Sequence, residues 1–594
     1  MRHFAPYFAL LALFAICWCT SSHAAQCHNC DGPAQLPRTT VHTRMSYTPA
    51  PGSVIYVAPA DNLQQALDSA RCGDIIQLQA GTTFTGVFQL PAKNCDTNHW
   101  IIVRTSSPDS TLPREYHRVT PCYAGIVSLV GRPAYKCKSP SSTLAKIAMQ
   151  SPGDGPLRFA SGANFYRLLG LEITRTDGLQ GHARLISLEG TADHIILDRS
   201  WLHGNPHDET SDGFALSGGT FIGVIDSYFN DFHCISKVGT CTDAHAISGG
   251  TGDSQDGPFK VRNNFLEASG EAILFGGGEA TKTPADIQII HNHFWKPWLW
   301  MQGNPQFVGS SDGHPFVVKN HLELKNAQRV LVEANLMENN WGGFSQNGFG
   351  IVLTPKNQHT PHGDVCPLCQ VTDVTIRYGK LSHLGAGMQL ATARGDNGNA
   401  APAFLGERWS IHDLVMDDIS VKYKGGGTAF EIINTWPTNA LNTVSINHVT
   451  AFPDPSRHMI TTGNLDSNSP MYGLRFTNNI ILTGTFPLWN AIGGGVASCA
   501  YSDIPVIVVS NCYSTYTFTT NALIASPEKY SASQWPSGNY FPGSPAAVGF
   551  VDYNNGNGGN YELQDSSLYK NQGSDGKDLG ADVVRVNAAL SGVQ

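Results

Sequence analysis

The sequence predicts an all-β solenoid, in which short strands stack coil upon coil behind an N-terminal capping helix. Three observations predict it. One strand pattern with asparagine at a fixed place recurs along the chain, a second strand pattern precedes it in each unit, and composition hardly changes from end to end.

The chain opens MRHFAPYFALLALFAICWCTSSHAAQ. A basic start, an apolar run and a small-residue SHAA stretch read as a secretory signal peptide over residues 1–25, cleaved near Ala24 or Ala25. No later stretch approaches the ~18 apolar residues of a membrane span. An exported, soluble, monomeric protein without a membrane anchor is expected, either extracellular or periplasmic. Fourteen cysteines include Cys17 and Cys19 of the leader. The others fall in close sequential pairs, 27/30, 72/95, 122/137, 234/241, 366/369 and 499/512, as local disulfides do in exported proteins. CHNC (27–30) and CPLC (366–369) also have the spacing of zinc ligands, but they lie far apart in the chain. Residues 26–52 form a disulfide-bearing extension, 53–585 a single solenoid with loop insertions, and 586–594 a C-terminal tail.

ADNLQQALDSARCGDIIQLQAGTTFTG (60–86) reads as a short amphipathic helix running into a first strand, suited to plugging the open end of the core. The recurrent strand follows in GVIDSYF (223–229), FKVRNNFL (259–266), IQIIHNHF (287–294), VLVEANLM (330–337), VSINHVTA (444–451) and GLRFTNNIIL (473–482). Alternation of apolar and polar residues marks a strand with one buried face. Asn264, Asn292, Asn335 and Asn479 hold the same place in each unit. Asparagine there tolerates a tight turn and can bond to the asparagine of the next coil. The second series is FALSG, HAISG, AILFG, LELKN, IVLTP and MQLAT. Units this small cannot bury an apolar edge alone, so they must stack. Scarce hairpin signals argue against a β-sandwich.

The cap, the stacked asparagines and the terminal DGKDLGAD (575–582) resemble bacterial right-handed parallel β-helix proteins of the pectate-lyase type, over residues 53–585. That resemblance implies architecture rather than activity, since the fold hosts lyases, hydrolases, esterases and adhesins.

Aligning the second series places Leu216, Ile247, Leu274, Leu324, Leu353 and Leu390 inward, with Phe214, His245, Ala272, Leu322, Ile351 and Met388 two residues earlier. The outward rows then carry Glu271 on one coil, His321, Glu323 and Lys325 on the next, Gln389 further on, and Lys356 and Arg394 just past later strands. His245 reads as a core residue, and Asp212 and Asp243 read as turn formers. The excursion HFWKPWLWMQGNPQFVGSSDGHP (293–315) brings Trp295, Trp298 and Trp300 to the same side, an aromatic wall suited to sugar rings. The bland reading is an ion cluster on a solvated face.

Charged residues are only 14% and the net charge is −9, which argues against a nucleic-acid partner. A polyanionic polysaccharide stays open, because local cations or a metal can override the global charge. On a polyuronate the reaction would be β-elimination, with Lys325 as base, Glu271 and Glu323 holding calcium, and His321, Lys356 or Arg394 as proton donor or clamp. The order Glu323, Lys325, then a cation one coil on is similar to β-helix lyases of the chondroitinase B and alginate lyase type. It departs from them in having one glutamate where a pair stands, a shorter Glu-to-Lys interval, and Lys356 in place of an arginine. Two further readings stay open. One is an inverting hydrolase using Glu271 and Glu323, whose backbones would lie roughly 8 Å apart. The other is a non-catalytic carbohydrate-binding or adhesive solenoid, which would need Trp295, Trp298 and Trp300 but not Lys325.

Overall fold

The computed structural model describes residues 29–594 apart from 138, 180, 182, 253–255, 344–345, 361–362, 393–402, 437–440, 465–469 and 494. The leader, Cys27 and Arg394 therefore lie outside the described residues.

The chain is a parallel β-helix. Each coil contributes strands to three ladders, and every ladder pairs in parallel with the coil before and after it. The first ladder starts at Val54–Val57 and Ile75–Leu78 and ends at Tyr516–Thr519; it joins the second through the asparagine corner, so the two form one 25-stranded sheet. The third ladder is a separate 12-stranded sheet running from Phe88–Leu90 to Leu488–Asn490. Parallel crossovers of this kind take the right hand.

The predicted cap is present. Helix Leu63–Ser69 buries Leu63, Ala66 and Leu67 over the first coil, and the Asn62 side chain accepts from the Gln65 N–H at its start. The asparagine stack is present too. Asn264 Nδ2 donates to Asn292 Oδ1 at 3.1 Å, and Asn292 Nδ2 to Asn335 Oδ1 at 3.0 Å. A second stack links Asn479 to Asn521 at 2.8 Å. The residue before each asparagine, including Asn263, His291, Ala334 and Asn478, takes a left-handed φ of 55° to 60°, which turns the chain at that corner. Pairs 72/95, 122/137, 234/241, 366/369 and 499/512 are disulfides, so CPLC is not a zinc site.

The extension before the first coil forms a strap along the outside of the first ladder. The Gln35 N–H reaches Asp373 at 3.0 Å and the Arg38 N–H reaches Asp286 at 2.9 Å. Further on, Lys260 donates to the Val41 carbonyl and Arg167 to the Thr43 carbonyl. The chain thus ties together coils that lie far apart in sequence. At the other end, helix Val583–Ala589 buries Val583 and Val586 against a satellite core that includes Tyr569 and Leu579.

Candidate active cleft on the third ladder

The third ladder pairs Phe214 with Ile247, Ile247 with Ile273, Ile273 with Leu322, Leu322 with Ile351 and Ile351 with Met388. These form one inward row, and Phe275, Leu324, Leu353 and Leu390 form the next. The expected register was therefore offset at two coils. Leu274 belongs to the outer row between Ser248 and Glu323, while Phe275 fills the core. The larger ring takes the inward place, and the leucine takes the outer row, where it is still buried.

Glu323 and Lys325 face outward as expected, but His321 does not. It precedes strand Leu322–Leu324, at the corner where alternation no longer applies, and its fully buried ring lies edge-on to Phe294 at 6.1 Å. Burial holds its pKa well below the ordinary histidine value.

The place expected for His321 is taken by His245, which the alternation had placed in the core. It opens strand His245–Gly249, at the equivalent corner. Its Nδ1 lies 3.1 Å from Asp212 and its Nε2 lies 3.4 Å from Glu271. Lys319 pairs with Asp243 and reaches Glu271 at 3.6 Å. Lys325 lies 3.3 Å from Glu323, whose carboxyl sits beside that of Glu271. Arg184, half exposed, reaches Asp212 at 3.9 Å. The result is a chain of charges running across the coils, in which Glu271 is fully buried and Glu323 is 2% exposed.

Each protonation state follows from its neighbours. Burial would strip His245 of its proton, but Asp212 and Glu271 outweigh it and hold the imidazole up to about 10. Burial would raise Glu271, yet Lys319, His245 and Lys325 keep it ionised, well below the usual carboxylate range. Glu323 is left with the poorer share of cation. Burial and the Glu271 charge, opposed by Lys325, push it up to about 7. The Lys325 ammonium, against burial, is stabilised by Glu323 and Glu271 and lies above its ordinary value, so it is a cation rather than the neutral base expected of it.

Lys319, Asp243 and His245 were not legible as members of one site. Lys319 stands outside the repeat, and the two Asp243 and His245 positions resembled turn and core. Lys356 is half-buried one coil on, its backbone N–H donating to the Lys325 carbonyl at 3.2 Å. Gln389 shares the outer row two coils from Glu323 and donates to Glu431 at 2.7 Å.

The tryptophans do not form an exposed wall. Trp295 donates to the Gly131 carbonyl at 3.1 Å, Trp298 stacks on Tyr423 at 4.8 Å, and Trp300 is 2% exposed. Apolar burial wins over exposure here. Trp300 packs with Ile235, Phe316, Val318 and Trp341 in a satellite core that anchors the segment leading to Lys319.

Asp243, His245 and Glu271 converge closely enough to bind a metal ion. They do not suit calcium, which takes six to eight oxygens. His245 offers nitrogen where calcium prefers oxygen, and the Lys319 ammonium lies against both Asp243 and Glu271. On the other side of the site a groove of about 880 Å³ is lined by Arg184, Ala215, Ser217, Ser248, Thr251 and Lys282. Ala215 and Ser248 lie on the row that leads through Leu274 to Glu323.

No family model and no curated protein matches the chain. Among solved structures it is similar to an alginate lyase from Paenibacillus sp. str. FPU-7, at 12% identity over 74% of this chain and 96% of that one, with a TM-score of 0.29. Pectate lyase Pel9A gives 13% identity over 90% and 97%, with a TM-score of 0.31. The polygalacturonase from Erwinia carotovora ssp. carotovora gives 11% over 76% and 98%, with a TM-score of 0.32. By the architecture of its own coils, the chain is a parallel β-helix protein.

Proposed function

We propose that the protein is a secreted polysaccharide lyase that cleaves an acidic, uronate-containing polysaccharide by β-elimination at the Glu323 cluster. The observation that carries the reading is a carboxyl group held at about 7 beside a lysine ammonium 3.3 Å away, with two further cations at hand. Elimination at a uronate needs three things: a cation to neutralise the carboxylate, a base for the C5 proton, and an acid for the leaving oxygen. Lys319 and protonated His245 supply the first. Glu323 in its ionised form takes the C5 proton, the C5–H electrons become the C4–C5 double bond, and the C4–O bond breaks. Lys325 donates a proton to the departing oxygen and regains one from Glu323, which closes the proton balance. Gln346, 3.4 Å from Glu323, covers the carboxyl and is displaced by substrate. Lys356 stands further along as a substrate clamp, and Gln389 as a contact on the outer row. Disulfides among the described residues suit an oxidising compartment.

An inverting hydrolase would hold its carboxyls ~6.5–9.5 Å apart, with water between them. Glu271 and Glu323 interact directly instead, which argues against that inverting arrangement.

The test is the ultraviolet absorbance of the new double bond on a panel of polyuronates and glycosaminoglycans. Wild type should generate it, with an apparent pKa near 7 in the rate profile. Glu323→Gln and Lys325→Met should each lower the rate by roughly 10²–10⁴-fold. Chelation should leave the rate unchanged. Reducing ends released without the absorbance would move the activity to hydrolysis, and silence in both assays would sink the enzymatic reading.

A further inference from the structure

The outer row that carries Glu323 continues along the helix axis through Val352, Gln389, Glu431 and Thr461 to Trp489. Five coils at ~4.8 Å place Trp489 ~24 Å from Glu323 on the same face, several sugar residues away. Trp489 is 46% exposed, although a ring of this size usually buries most of its surface. Its indole lies flat against the His458 ring of the preceding coil, at 5.1 Å and 8°, and Phe486 stands 5.0 Å away. Two exposed cations border the patch. Lys529 lies over the Phe486 ring at 4.3 Å, and Arg457 adjoins His458. This cationic border stands out on a chain with a net charge of −9.

We infer that Trp489, with His458, Phe486 and Lys529, forms a remote subsite that binds a ring of the same acidic polysaccharide whose cleavage is assigned to Glu323. The inference rests on that assignment for the chemical class of its ligand. A flat, supported indole matches the apolar C–H face of a pyranose, and an adjacent ammonium matches a uronate carboxylate. Past the buried Val352, the floor between the two sites is polar. Gln389 donates to Glu431 at 2.7 Å, and Thr461 donates to the same carboxyl at 3.3 Å. Trp489 lies on the last strand of the ladder, but its side chain occupies the outer row. It faces the groove side and does not cap the open end of the core.

The experiment is calorimetric titration of alginate and polygalacturonate oligomers of graded length into Glu323→Gln protein, with and without Trp489→Ala. Cleavage of the same oligomers is followed in the background that keeps Glu323. Trp489→Ala should weaken binding of oligomers long enough to span both sites by about tenfold, the scale of a stacking contact. Oligomers too short to span should bind as before, and the melting temperature should stay unchanged. Quenching of tryptophan fluorescence by long oligomers should disappear with the residue. Unchanged affinity for long oligomers, with cleavage intact, overturns the subsite and leaves the lyase reading standing. Absence of both binding and cleavage of every uronate oligomer by the parent protein overturns both.

Discussion

Glu271 is a fully buried carboxylate with three cationic neighbours, and much of the behaviour of the cleft turns on it. Removing one partner of such a group leaves a buried charge uncompensated. His245→Gln should therefore cost ~3–5 kcal/mol at neutral pH in chemical denaturation. The pH dependence has a definite sign. His245 is raised from its ordinary 6.5 to about 10, so its contribution is complete below about 6.5 and is lost as pH rises towards 10. Wild type should lose stability over that interval with a slope that His245→Gln lacks. Glu323, raised to about 7, adds in the same direction between its ordinary 4.5 and 7. Glu271, lowered, acts oppositely and withdraws its stabilisation only in acid.

Within single coils, polar corners complete what apolar rows begin. Asn292 bonds to the asparagines above and below, and its amide also donates to the Val261 carbonyl at 3.0 Å. Asn292→Ala leaves buried partners unsatisfied on both sides, and the expected loss is ~1–3 kcal/mol in a denaturant titration. These corners were readable because asparagine recurs at one place in the repeat. The cap helix was readable from its amphipathic spacing, and the local disulfides from close cysteine pairs. The site was less so. Glu323 and Lys325 were found because they interrupt an otherwise apolar series, whereas His321 and His245 exchanged places. His245 is the first residue of its strand and His321 immediately precedes its own, and at such an end, where the chain turns, alternation no longer says which way a side chain points.

Across the whole molecule, a chain of net charge −9 carries Arg184, Lys319, Lys325 and Lys529 along the third ladder, the first three paired with carboxylates and Lys529 exposed at the far end. Attraction of a polyanion to that ladder competes with repulsion by the rest of the surface. Affinity for uronate oligomers should therefore fall as salt is raised from about 0.01 M to 0.15 M, where the screening length shortens from ~30 Å to ~8 Å. A salt-independent affinity would show that stacking and neutral hydrogen bonds carry the binding instead. The strap acts at this scale too. By joining coils near residues 373, 286, 260 and 167, it should make those units melt together, where a bare solenoid would unravel from its ends.

By itself, the sequence determined the stacked coils, the capped end, the asparagine corners, the disulfide pairs and the outward direction of Glu323 and Lys325. Those features repeat locally, or depend on residues close together in the chain. Only the tertiary structure decided that Asp243, His245, Glu271, Lys319 and Lys325 meet around one carboxyl group, that Lys325 is a cation there, and that Trp300 is buried while Trp295 and Trp298 are half-buried. These outcomes depend on which coil lies beside which and on how deeply each charge is buried. Spacing along a chain carries neither.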